Sequence, residues 1–260
     1  MKYLKYILSV VLCVCLAGCY EINEEIEIKA DGSGTYVTKM DMGAMIDMMQ
    51  TFAGEEELTK EGLDRVIDTT IFMKSIMDSA KDATPEQKEL LKDGKMKLQM
   101  NIKEKIFKMD MNLPYKNYNS LQQLMAGKGG NGGGIGDVFK TMFGNKAGPG
   151  DSLPAAPKEP DMNELAALYD VTVKNGVISK KLNKEKFKAL LEKPEMAQVK
   201  QLSSSGMEIL STTTIKLPRP VKKADNPLIK LSDDKKTVTM KYNLLELLET
   251  PDKFSYTIEY

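Results

Sequence analysis

The stretch KMKLQMNIKEKIFKMDMNLP, residues 95–114, decides the fold class. Met96, Leu98, Met100 and Ile102 alternate with Lys95, Lys97, Gln99, Asn101 and Lys103. After a turn near Glu104, Phe107, Met109, Met111 and Leu113 alternate with Lys108, Asp110 and Asn112, and Pro114 ends the run. Successive side chains of a strand point to opposite faces, so period two marks strands with one apolar and one solvated face. Two such runs joined by a short turn are an antiparallel hairpin whose apolar face needs cover from other elements.

The same reading extends outward in both directions. Toward the N-terminus, Tyr20, Ile22, Ile26 and Ile28 alternate with Glu21, Asn23, Glu25, Glu27 and Lys29. Asp31-Gly32-Ser33-Gly34 is a turn signal, and Tyr36, Thr38, Met40 and Met42 share one face of a return strand. Residues 20–42 therefore read as a hairpin. Helical spacing is expected over about Gly43 to Phe52 and about Lys60 to Lys81, where Leu63, Val66, Ile67, Thr70, Ile71 and Met77 recur. Thr84-Pro85-Glu86-Gln87 has the chemistry of a helix start.

Beyond the central hairpin, Asn119 to Met125 reads as a short helix. Residues 127–160 are rich in glycine, then in proline and alanine, and read as a flexible insertion with a small amphipathic segment over Asp137 to Phe143. Tyr169, Val171 and Val173 then lead into Asn175-Gly176, the strongest short hairpin signal, with Ile178 and Leu182 on the return strand. Helices are expected from Asn183 to about Glu192 and from Pro194 to about Ser204. Strands are expected at Met207 to Leu217, at Val238 to Tyr242 and at Phe254 to Tyr260.

The sum is an α+β fold: an antiparallel sheet of about eight strands in hairpins, with several interspersed amphipathic helices. The expected organisation is a signal peptide at 1–18, the N-terminal part of the domain at 19–126, the Gly/Pro-rich insertion at 127–160, and the C-terminal part of the same domain at 161–260.

The first nineteen residues carry the functional signal. Lys2 and Lys5 make a short positive start, and Tyr6 to Leu16 is apolar apart from Ser9. That run is too short to span a bilayer, which takes about 20 residues, and has the length of a signal-peptide core. Leu16-Ala17-Gly18-Cys19 follows. These four residues resemble the lipobox read by lipoprotein signal peptidase. The resemblance implies cleavage behind Gly18, a diacylglycerol thioether on Cys19 and a further acyl chain such as palmitate on its freed amine. One acyl chain holds a protein only marginally, whereas two or three hold it stably, at ~0.8 kcal/mol per buried CH₂. The expected partner is thus a membrane, reached through lipid on Cys19. Tyr20 stands where an Asp would retain the protein at an inner membrane in enteric-type sorting, which directs the expectation to an outer membrane, on its periplasmic or surface face.

Composition narrows the chemistry. The 260 residues include no histidine, which removes His-based triads, His-ligated zinc and the usual neutral-pH general base. Cys13, Cys15 and Cys19 are the three cysteines, and cleavage leaves only Cys19, so neither a disulfide nor a free thiol nucleophile is expected. Basic and acidic residues number 37 each; with Lys2 and Lys5 in the leader, the remainder has 35 basic against 37 acidic. No basic field supports nucleic-acid binding.

Other motifs read as structure. Gly127, Gly129 and Gly132 match GxGxxG, but no strand precedes them. Met40, Met42, Met45, Met48 and Met49 invite a copper reading, yet most of the 18 methionines fall on apolar phases and suit core filling or pocket lining. Glu24 and Glu25 point to opposite faces of one strand and cannot act as a pair. Glu55-Glu56-Glu57 and Asp233-Asp234 read as solvated loops, and Lys222-Lys223 is a small patch for anionic headgroups. No catalytic residue, metal ligand or cofactor is assigned.

Gly32-Ser33-Gly34-Thr35-Tyr36, Leu217-Pro218-Arg219-Pro220 and Leu231-Ser232-Asp233-Asp234-Lys235-Lys236-Thr237-Val238 resemble the opening and closing segments of uncharacterised envelope lipoproteins of the LppM type. That resemblance implies a mixed α/β envelope domain, with lipid or glycolipid binding one suggestion. The functional expectation is a lipid-anchored, non-enzymatic envelope protein that binds an apolar ligand or a protein partner. The alternatives are a structural or assembly component without ligand and, more remotely, a carboxylate-based hydrolase.

Overall fold

The computed structural model describes residues 20–44, 46, 50, 66–80, 83–128, 162–193, 196 and 208–260. Twelve strands appear among them: β1 (Tyr20–Ile28), β2 (Gly34–Asp41), β3 (Ile67–Phe72), β4 (Lys95–Asn101), β5 (Ile106–Tyr115), β6 (Tyr169–Lys174), β7 (Val177–Leu182), β8 (Ile209–Lys216), β9 (Lys223–Ala224), β10 (Lys230–Leu231), β11 (Thr237–Asn243) and β12 (Tyr256–Glu259). The described helices are α1 (Met73–Ser79), α2 (Pro85–Leu91), α3 (Tyr118–Met125), α4 (Met162–Ala167), α5 (Lys184–Leu191), α6 (Glu246–Glu249) and a 3₁₀ turn at Pro251–Phe254.

The fold is α+β, as the alternation implies. Eight strands form one sheet in the order β10-β11-β8-β1-β2-β5-β4-β3, and four form a second, β6-β7-β12-β9. Pairing is antiparallel throughout with one exception: β1 runs parallel to β8, with Tyr20 opposite Ile209 and Ile26 opposite Ile215. That pair joins residues nearly two hundred positions apart, a relationship that no local pattern signals.

The inner face of the large sheet packs on the small sheet and the helices. Met96 lies opposite Met111, Leu98 opposite Met109 and Met100 opposite Phe107, so the central hairpin lays a methionine-rich ladder into the core. Met42, Met73, Met77, Met125, Met196 and Met240 are buried as well. An unbranched thioether fills irregular gaps, which suits a core between two twisted sheets. The outer face is ionic, with pairs Lys108–Asp41, Lys97–Asp68 and Lys216–Glu25 across neighbouring strands.

Turn and cap chemistry sits where the residues require it. Gly176 adopts φ +85° in the β6–β7 hairpin and Gly32 adopts φ +84° in the β1–β2 turn, where Asp31 accepts from the Ser33 backbone and hydroxyl. Thr84 and Gln87 form a reciprocal capping box at α2, and Asn117 and Asn183 cap α3 and α5.

Two expectations are corrected. Of the helix read from Lys60 to Lys81, residues 66–80 are described, and they hold strand β3 followed by α1 at Met73–Ser79. Ile67 and Ile71 satisfy a spacing of four and a spacing of two equally, and Ile67, Thr69, Thr70 and Ile71 are β-branched residues that favour a pleated surface. Pairing with β4 along Ile67–Phe72 decides for the strand. Phe254 ends the 3₁₀ turn rather than opening the last strand. Of Gly43 to Phe52, residues 43, 44, 46 and 50 are described and helical; of Pro194 to Ser204, only Met196 is described. The Asp137 to Phe143 segment lies outside the described residues.

Candidate functional site

Leu16, Ala17, Gly18 and Cys19 lie outside the described residues, but the residue that follows them does not. Tyr20 is the first residue of β1, in the middle of the large sheet. Its backbone N–H donates to the Glu208 carbonyl at 3.3 Å, and it pairs with Ile209. Cys19 is thus one peptide bond, about 3.8 Å of Cα–Cα distance, from a strand held on both sides. The sheet end around Tyr20 includes Asp41 and Met42 at the close of β2, the 102–105 turn between β4 and β5 with Gly43 and Gln50 against it, Val66 beside the start of β3, Asn243 at the end of β11 and Leu244 after it.

A second locus is a polar cluster beneath the sheet. Glu24 alone among the β1 glutamates points inward. It accepts from the Tyr36 hydroxyl on β2 and from Thr213 Oγ1 on β8, the latter at 3.1 Å. Loss of water, then the Glu24 charge, pushes the Tyr36 phenol well above its ordinary value, and the same two causes act on Tyr256. Both phenols therefore remain neutral donors or acceptors. A cleft runs from Glu24 past Thr213, Tyr242 and Tyr256 toward Lys180 and Lys253. Its cavity volume is about 30 Å³, room for one or two waters. Lys180 stands 4.5 Å above the Tyr169 ring and Lys253 pairs with Glu246, so both ammonium groups have partners of their own. The arrangement is a clamp that ties β1, β2 and β8 together. Sequence reading separated Glu24 from Glu25 correctly, and Glu25 pairs with Lys216 on the outer face. It missed the cluster, because Thr213 lies 189 residues from Glu24.

The remaining candidates resolve into structure where they are described. Gly127 ends α3 with φ +74° and its N–H on the Leu124 carbonyl; Gly129 and Gly132 lie outside the described residues. Met40 and Met42 line β2 and its end, while Met45, Met48, Met49 and Glu55 to Glu57 lie outside. Asp234 closes the β10–β11 turn, accepting from Ser232 Oγ at 2.6 Å and the Lys236 N–H at 3.0 Å, bonds that hold its carboxyl below the usual range. Lys222 and Lys223 flank β12 beside Tyr260, at the β1–β2 turn end of the sheet and away from Tyr20. Among the described residues no group of three or more metal-ligating side chains forms, and no helix is long and apolar enough to cross a membrane.

No protein-family model and no curated protein matches the chain. Among solved structures, the folded domain of LppM from Mycobacterium tuberculosis, determined by NMR, aligns with a TM-score of 0.37 at 9% identity, over 93% of this chain and 90% of that one. A similarity of that size carries no inference about function.

Proposed function

We propose that this chain is a lipid-anchored, non-enzymatic protein of the bacterial envelope, cleaved behind Gly18 and acylated on Cys19, whose folded part serves as a partner-binding or assembly module. The observation that carries the reading is Leu16-Ala17-Gly18-Cys19 at the end of an eleven-residue, nearly uninterrupted apolar run from Tyr6 to Leu16. Tyr20 in place of Asp supports delivery to an outer membrane where the cell has one.

Packing among the described residues supports the assembly version over an apolar-ligand carrier. A ligand pocket needs roughly 300 Å³ or more. Among the described residues, most of the methionines that suggested such a pocket are buried in the core, and the cleft at Glu24 has a volume of about 30 Å³. Metabolic labelling with an alkyne-bearing fatty acid tests the anchor. Label on the wild type that is lost in Cys19→Ser supports it, and an unlabelled wild type rejects it. Crosslinking in intact cells tests the module: a discrete protein adduct supports assembly, and a co-purifying lipid without an adduct returns the carrier reading.

A further inference from the structure

We infer that the end of the large sheet bearing Tyr20 is a bilayer-contact surface, on which the domain stands without a tether. The inference rests on acylation of Cys19. Given that, the geometry follows from covalent reach. A peptide spans at most about 3.6 Å per residue, and here a single peptide bond separates the acylated residue from the sheet. Tyr20 cannot swing away, because it is bonded to Glu208 on one side and its strand pairs with β2 on the other. Whatever shares its end of the sheet is therefore carried to the headgroups with it.

The residues there suit a water–lipid boundary. The β4–β5 turn presents Lys103, Glu104 and Lys105, all exposed, with Lys105 in the left-handed region at φ +55°. Val66 is 73% exposed beside the start of β3, an apolar side chain for the interfacial zone. Lysine stems lie along apolar surface with their ammonium groups in the headgroup layer. The other end of the sheet carries the Asp31-Gly32-Ser33 and Ser232–Lys235 turns. It lies eight residues further along β1, roughly 26 Å at about 3.3 Å per residue.

The test uses the full acylated protein in vesicles of phosphatidylethanolamine and phosphatidylglycerol with nitroxide-labelled headgroups. Cys13 and Cys15 leave with the leader and Cys19 is blocked by its thioether, so one introduced cysteine takes a fluorophore uniquely. Glu104→Cys marks the Tyr20 end and Asp233→Cys the far end; both side chains are exposed. Intact mass is recorded on each sample. The expected result is an acyl-sized mass increment, loss of fluorescence at position 104, none at position 233, and recovery at 104 when a Gly/Ser spacer is inserted between Cys19 and Tyr20. Acylated protein that is unquenched at 104, or quenched equally at both sites, overturns the contact surface and leaves the anchor standing. Protein without the mass increment overturns both.

Discussion

The Tyr20 backbone N–H donates to the Glu208 carbonyl at 3.3 Å, so the chain enters the sheet one residue beyond Cys19. Protease sites concentrate in mobile termini and loop tips, not in backbone already bonded in a sheet. Membrane-bound wild type is expected to resist cleavage between Cys19 and Ile28 in limited proteolysis. A Gly/Ser spacer at that junction is expected to permit release of an otherwise unchanged domain, with the same denaturant midpoint. Rapid release of the wild type at Tyr20 would contradict the pairing.

Gly34 is where the first hairpin tolerates no side chain. A Cβ there would stand 1.8 Å from the Glu27 carbonyl oxygen and 2.5 Å from the Tyr115 hydroxyl. The same hydroxyl donates to the Glu27 carbonyl at 2.6 Å, so β1, β2 and β5 meet at this glycine. Gly34→Ala is expected to cost about 3 kcal/mol or more, at or beyond the usual overpacking range. Urea denaturation measures it, and a loss under about 1 kcal/mol would mean that the strands do not approach this closely.

The Glu24 clamp makes a different prediction. Thr213→Val keeps the shape and removes one donor from a carboxylate beneath the sheet. An acceptor left short of a partner costs about 1–3 kcal/mol. Tyr36→Phe is expected to do the same, and the double variant to depart from the sum, because both act on one carboxylate. Strict additivity in a double-mutant cycle would show that the two hydroxyls do not share Glu24.

These two sites show what was legible in the chain and what was not. Turn chemistry was: Asp31-Gly32-Ser33 and Asn175-Gly176 need left-handed glycines, and Gly32 and Gly176 supply them. The alternation in residues 95–113 placed β4 and β5 and their buried methionines. Ile67 and Ile71 were ambiguous because both periods fit, and only pairing with β4 settled the matter. The parallel β1–β8 pair, and with it the Glu24–Thr213 bond, depends on residues 189 positions apart and leaves no local trace.

A contribution to acid sensitivity is expected at Glu89. Hydrogen bonds from Lys92 at 2.8 Å and then Lys116 at 2.9 Å hold its carboxyl at about 2, below the ordinary 4.5. A depressed folded-state value gives stability that is present above pH 4.5 and lost as pH falls through about 2. The denaturation midpoint is expected to decline across that window, less steeply in Glu89→Gln and less steeply in high salt, since the pair is exposed and screened. An identical profile for wild type and variant would remove Glu89 from the account.

The most direct test of the central claim is the intact mass and detergent-phase partitioning of the mature protein beside Cys19→Ala. The wild type is expected to begin at Cys19, to be heavier than its peptide mass by a diacylglycerol and one further acyl group or by the diacylglycerol alone, and to stay with membranes. The variant is expected to lose that increment and to partition into the aqueous phase. A wild type of bare peptide mass, found in the aqueous phase, would contradict the anchor and the membrane-contact surface built on it.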